Sequence, residues 1–259
     1  MNIGFFDSGI GGLSVLREAV ALLPNENYIY YADSDNAPYG IKTKEEVRQL
    51  TFNAVSSMVD QGIKALVVAC NTATSAAVRD LRGVYGFPII GMEPAVKPAV
   101  AKNADGGKRV LVLATPLTLK EEKFQSLVTR FDSGHIVDML PAPKLVEFAE
   151  RFIFSGSEVD SYIKEILPED IHMYGTIVLG CTHFPLFRRA LAGILPADVD
   201  IIDGNKGTVN HLHEILKAEN LLNPSAQKGH VVFYKSGILV KDSETIENYQ
   251  RIISDSIFH

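Results

Sequence analysis

Tryptophan is missing from the 259-residue chain, and cysteine occurs only twice. Two cysteines exclude a disulfide framework, so a buried core has to hold the fold, and in the cytosol both thiols are expected to be reduced. No run of Lys and Arg stands out and the formal net charge is −6. Nucleic acid is therefore a poor candidate partner. No apolar stretch approaches the roughly 18 residues of a membrane span. The amino-terminal MNIGFFDSGIGG has no basic segment ahead of a long apolar run, unlike a secretory signal. A cytoplasmic protein without a membrane partner is expected. No lysine motif for pyridoxal phosphate is recognisable, and the glycine stretch at 9–12 is not a full G-x-G-x-x-G dinucleotide fingerprint.

What the chain does have is 46% hydrophobic residues, arranged largely in short runs that end in polar or turn-forming residues. Residues 65–74 read ALVVACNTAT, an apolar run leading into Cys70, Asn71 and Thr72. This pattern suits a buried strand of a parallel sheet followed by a helix. Residues 176–183 read TIVLGCTH and repeat the arrangement with Cys181, Thr182 and His183. The only two cysteines thus fall at the same address, the carboxyl end of a strand, where α/β sheets bind ligands.

In chain order, Asn2 to Phe6 is a strand, Asp7 to Gly12 a glycine-rich turn, and Leu13 to Leu23 a helix. Such a turn lets backbone approach a ligand closely and offers free N–H groups to an anion. Tyr28 to Ala32 is a strand and Asp33 to Gly40 a loop. A helix over Thr43 to Gln61 is expected, with Thr43 as N-cap and Glu46 completing a capping box. Pro88 to Gly91 is a strand, Glu93 to Lys102 a helix, and Asn103 to Lys108 a turn-rich joint. A second round follows: a strand at Arg109 to Ala114, a helix capped by Thr118 running to Val128, a strand at His135 to Met139, and helices at Lys144 to Phe154 and Glu158 to Leu167. The Cys181 strand, a helix at Phe184 to Ile194 and a strand at Val199 to Ile202 complete it. The two rounds match in layout. They predict two doubly wound α/β domains related by pseudo-twofold symmetry, with the active site in the cleft between them. The first is assigned residues 1–95 plus the tail 208–259, the second 96–207.

Two thiols facing one cleft suit a reaction that removes a proton from one face of a carbon and returns one to the other. Helix N-termini lower thiol pKa values. Asp7 and His183 are candidates to shuttle protons to and from the sulfurs. If the substrate is an amino acid, donors such as Ser8, Asn71, Thr72, Thr115 and Thr182 have to stabilise charge developing on its carboxylate. Two helix N-termini in one cleft also suit a substrate with two carboxylates. A metal reading of Cys70, Cys181 and His183 is less apt, because the C-T-H spacing is too short for a usual zinc pair. A non-catalytic dicarboxylate binder is the remaining alternative.

The set DSGIGG (7–12), PYG (38–40), CNTA (70–73) and GCTHFP (180–185) resembles the cofactor-independent glutamate racemases of the aspartate/glutamate racemase superfamily. The resemblance runs from Asn2 to about Asp203, and the CNTA and GCTH pair is its most specific part. It implies interconversion of L- and D-glutamate without cofactor or metal, supplying D-glutamate for peptidoglycan, by an enzyme expected to be a homodimer. It implies Cys70 and Cys181 as the acid/base pair, assisted by Asp7 and His183. It implies substrate contacts from Ser8, Tyr39, Gly40, Asn71, Thr72, Thr115, Thr118 and Thr182. The LVEFAE run (145–150) resembles the family segment bearing a further carboxylate, which would be Glu150. Glu147 stands where the family tends to proline, so the segment offers two glutamates. Ala142 replaces a usual cysteine. GCTHFP resembles the glutamate branch more than the aspartate branch.

Overall fold

The computed structural model describes residues 1–104 and 106–254. Asp105, in the expected 103–108 joint, and residues 255–259 of the tail lie outside the described residues. The first part of the chain runs β1 (Asn2–Asp7), α1 (Leu13–Leu22), β2 (Tyr28–Ala32), α2 (Lys44–Val59), β3 (Ile63–Val68), α3 (Asn71–Val84) and β4 (Ile89–Gly91). The second runs α4 (Val96–Asn103), β5 (Arg109–Ala114), α5 (Pro116–Lys120), α6 (Glu122–Phe131), β6 (Val137–Pro141), α7 (Pro143–Glu150), α8 (Ser157–Ile166), β7 (Tyr174–Leu179), α9 (Arg188–Ile194) and β8 (Asp200–Asp203). The tail adds α10 (Asn205–Ala218), β9 (Val231–Lys235), β10 (Ile238–Leu239) and α11 (Ser243–Ile253).

Two sheets result. One has the order β10-β9-β2-β1-β3-β4, the other β6-β5-β7-β8. Strands β2-β1-β3-β4 and β6-β5-β7-β8 share one order, and every pair within them is parallel. Each sheet also carries a register shift at the same place, between Asn2 and Ile3 against β3 and between Arg109 and Val110 against β7. The expected two-part α/β layout is therefore present. The apolar runs are strands because both faces are covered by helices, as parallel sheets require; β2 and β3 are buried along their whole length.

Local chemistry fixes the element ends. The expected capping box closes α2: Thr43 Oγ1 accepts the Glu46 N–H at 3.3 Å and Glu46 Oε2 accepts the Thr43 N–H at 2.8 Å. Thr118 is not a cap. Thr115 caps α5 and Pro116 stands in its first turn, where a missing N–H costs nothing. Helix α7 stops at Glu150 rather than Phe154. Phe152 turns to φ 56, and the Ile153 N–H reaches back to Phe148 O at 2.9 Å while Phe152 N–H reaches Ala149 O at 2.8 Å. Those two bonds form a Schellman motif with phenylalanine in the left-handed position that glycine usually takes. The helix expected from Phe184 begins as a 3-10 turn, Phe184–Phe187, before α9. Strand β10 is an addition: Ser236 (φ 44) and Gly237 (φ 88) turn the chain into a hairpin with β9.

The tail is pinned where β9 lies parallel to β2. Lys64 points from β3 into the protein and pairs with Glu26 at 2.6 Å, their side chains 7% and 3% exposed. Lys64 Nζ also donates to Leu221 O at 2.5 Å, and Glu26 Oε1 accepts the Asn223 N–H at 2.6 Å. Removing one member of such a buried pair strands the other. Lys64→Met is therefore expected to lower unfolding free energy by roughly 3–5 kcal/mol, and Lys64→Met with Glu26→Leu to recover part of it. Chemical denaturation checks this; a loss of only about 1 kcal/mol, the worth of an exposed pair, rules the assignment out.

Candidate active site

Because the strands within each half are parallel, their carboxyl ends gather along one edge. Asp7 ends β1, Cys70 and Asn71 follow β3, Thr115 follows β5, and Cys181 to His183 follow β7. The carboxyl edges of the two sheets meet, and hydrogen bonds cross between them. Thr182 Oγ1 donates to Asp7 Oδ2 at 2.9 Å. The Ile10 N–H donates to Glu150 Oε1 at 2.7 Å. Thr72 Oγ1 lies 3.3 Å from Thr115 Oγ1 and 3.1 Å from Thr118 Oγ1, and those two hydroxyls are 2.9 Å apart. Ser14 Oγ donates to the Thr182 carbonyl at 3.0 Å.

The glycines of DSGIGG are explained by this crowding. A Cβ on Gly9 would overlap the Glu150 carboxylate, and one on Gly11 would overlap the His183 ring. Gly40 meets Thr115 in the same way, its hypothetical Cβ 2.6 Å from Thr115 Cβ.

Each thiol has its own company. Cys70 caps α3, its sulfur accepting the Ala73 N–H at 3.4 Å and lying 3.6 Å from Ser8 Oγ. Burial pushes its pKa up to about 12, aided by the charge of Asp7 and, to a smaller extent, of Cys181. Cys181 Sγ lies 3.7 Å from His183 Nδ1. His183 Nε2 lies 2.7 Å from Glu150 Oε1. Burial opposes a charged imidazole, but hydrogen bonds to Cys181 and Glu150 and their charges outweigh it and hold the His183 pKa well above the ordinary value. Burial of Glu150 is likewise outweighed by His183, so its carboxyl sits below its usual range. Asp7 is fully buried, and desolvation lifts it to about 6 against the pull of His183 and the bonds from Gly9 and Thr182.

Every expected site residue falls at this edge. Of the two glutamates of LVEFAE, Glu150 faces His183 while Glu147 is exposed. Asn71 is buried, and its Oδ1 has no partner among the described residues. Tyr39 donates its hydroxyl to Asp33 Oδ2 at 2.6 Å. Asp33, Ser34 and Tyr249 join the site without having been singled out from the sequence. Asp33 is signalled by its place directly after β2. Tyr249, on α11, carries no local signal. A cavity of 220 Å³ adjoins Asn71 and Thr118 and is lined further by Met92, Pro94, Phe124 and Arg130. It does not reach the sulfurs, which are 5% and 8% exposed at the residue level. Among the described residues no group of three or more His, Cys, Asp or Glu is placed to hold a metal ion, and no helix is long and apolar enough to cross a membrane.

Residues 7–212 match the family model described as Asp/Glu/Hydantoin racemase. The chain is 54% identical to the glutamate racemase of Halothermothrix orenii, over 98% of this chain and 100% of that one. The Escherichia coli glutamate racemase, solved with L-glutamate and the activator UDP-MurNAc-Ala, superposes with a TM-score of 0.81 at 30% identity, covering 96% of this chain and 95% of that one. The Francisella tularensis glutamate racemase, solved with D-glutamate, gives 0.80 at 28% identity over 98% and 93% of the two chains. A family match over most of the chain and a curated relative at 54% identity together place it: the chain belongs to the Asp/Glu/Hydantoin racemase family and is an amino-acid racemase of its glutamate racemase group.

Proposed function

We propose that this protein interconverts L- and D-glutamate by a two-base mechanism in which Cys70 and Cys181 face opposite sides of the α-carbon. The observation that carries this reading is the equivalent placement of the two thiols after β3 and β7, at strand ends that hydrogen bonds from Thr182 to Asp7 and from Ile10 to Glu150 hold together. The imidazolium of His183, backed by Glu150, stabilises a thiolate on Cys181. Burial keeps Cys70 as the thiol. In one direction the Cys181 thiolate takes the α-proton and the Cys70 thiol returns one to the opposite face. The reverse direction starts from the opposite protonation.

The proton being removed is weakly acidic, so the site has to stabilise the carbanion's charge on the carboxylate. The open N–H groups at the start of α3 and the hydroxyls of Thr72, Thr115 and Thr118 serve that end. The unpartnered Asn71 Oδ1 is an acceptor that suits the substrate ammonium. Ser8, Tyr39, Gly40 and Thr182 complete the surround. Because the sulfurs are closed off, substrate entry requires the two parts, 1–95 with the tail and 96–207, to move apart. Product D-glutamate serves peptidoglycan synthesis in the cytoplasm. The activation of the Escherichia coli relative by a nucleotide-linked muramic acid supports that role.

Cys70→Ala and Cys181→Ala are each expected to abolish racemisation, read as circular dichroism change and as deuterium at Cα of the opposite enantiomer in D₂O. Normal turnover in either variant defeats the mechanism, and turnover of aspartate but not glutamate defeats the substrate. Complementation of a D-glutamate auxotroph by the wild type alone tests the cellular role.

Asp7 acts as a carboxylate, so kcat/KM is expected to fall as pH drops through about 6. Its raised pKa means that the folded state binds this proton more tightly than the unfolded chain does. That stabilising contribution is full below the ordinary aspartate value of 3.8 and is lost as pH rises through about 6. Asp7→Asn is thus expected to melt higher than wild type at pH 8 while turning over more slowly, with the gap closing below pH 3.8. A variant that melts lower at pH 8 contradicts this. The enzyme is further expected to be a homodimer in solution, and light scattering that gives a monomer at working concentration refutes it.

A further inference from the structure

Glu150 is held by more than His183. Its Oε1 receives the Ile10 N–H, and its Oε2 accepts the Ser34 hydroxyl at 3.2 Å. Ser34 begins a 3-10 turn, Ser34–Asn36, just past β2, and is half-buried. The Tyr249 side chain comes near the same serine and the Glu150 carboxylate. Tyr249 is 2% exposed. Its ring is fixed by edge contacts with Tyr30 and Phe233 and by stacking on Phe152 at a centroid distance of 6.4 Å. A hydrogen-bonded chain therefore runs from Cys181 through His183 and Glu150 to Ser34, with Tyr249 of α11 packed near its end. Among the described residues no imidazole or carboxylate bonds the Cys70 sulfur, which meets Ser8 and the Ala73 N–H.

We propose that Ser34, steadied by Tyr249, is a positioning residue for the Cys181 half of the reaction. By holding one oxygen of Glu150, it keeps the other on His183 Nε2 and so keeps Nδ1 aimed at the Cys181 sulfur. The proposal rests on the two-cysteine reading. When Cys181 removes the α-proton, the S–H bond forms as the C–H bond breaks and its electron pair stays on carbon. The imidazolium then loses its thiolate partner, and the charge of Glu150 is what remains to balance it. Loosening Glu150 raises the barrier for proton transfer to and from Cys181 and leaves the Cys70 transfer alone.

Enantiomers have equal free energy, so kcat/KM falls equally in both directions in any variant. The asymmetry shows instead in primary isotope effects, measured with α-deuterated L- and D-glutamate. For Ser34→Ala, kcat is expected to fall about tenfold, the size of one lost bond to a charged group. The isotope effect on kcat/KM is expected to grow for the enantiomer whose proton Cys181 takes and to shrink for the other. Tyr249→Phe is expected to act in the same direction with smaller size, and Ser34→Thr to restore wild-type values. Wild-type kcat, or equal isotope changes in both directions at unchanged melting temperature, overturns the proposal. Cys181→Ala separates the two levels. If it racemises normally, the two-cysteine reading falls and takes this proposal with it; if it is inactive while Ser34→Ala behaves as wild type, this proposal alone falls.

Discussion

The Glu150 carboxylate reaches from the end of α7 across to the Ile10 N–H in the first half of the chain while facing His183 in its own. Around that bridge the rest of the site is assembled. A buried carboxylate is tolerable only when its oxygens are bonded and its charge is balanced. For Glu150 the bonds come largely from one half and the balancing charge from the other. Asp7 shows the reverse arrangement, a carboxylate of the first half bonded by Thr182 of the second. Each half therefore holds an ionisable group that the other half satisfies. The same contacts between the halves thus satisfy the carboxylates and bring the site residues together.

The likeness between the halves ends at the backbone. Strand order and even the position of the register shift recur, but the neighbours of the sulfurs do not. Cys70 meets a serine hydroxyl and a helix N–H; Cys181 meets an imidazole backed by a carboxylate. In the proposed reaction the substrate has two mirror forms, yet the protein is made of L-residues throughout, so its two sides cannot be mirror images. They can only be matched in function. One thiol is held neutral by dryness, the other is set beside a cation.

The parallel sheets were legible because runs such as ALVVA and TIVLG have no polar face and end abruptly in small polar residues. The paired cysteines were legible because a similar apolar run precedes each. Less could be read where two local signals compete. Thr115 and Thr118 are both good capping residues, and Pro116 decides between them by fitting the first helical turn. Helix α7 carries apolar residues past Glu150, and its end is set by Phe152 taking a backbone shape that the residue type does not advertise. Glu147 and Glu150 look alike in sequence; only the helix's orientation against His183 tells them apart. Tyr249 was beyond reach, since its contacts lie with Phe152, Tyr30 and Phe233, all distant in sequence.

Strand β9 completes the first sheet beside β2, and the ribosome makes the two roughly two hundred residues apart. At about 5–20 residues per second, that interval is on the order of ten to forty seconds. Through all of it the outer edge of β2, a run of tyrosines and aliphatics, has no strand to pair with. An open edge of that kind is a template for wrong partners. The nascent polypeptide thus passes through a window in which one edge of its first sheet is unfinished.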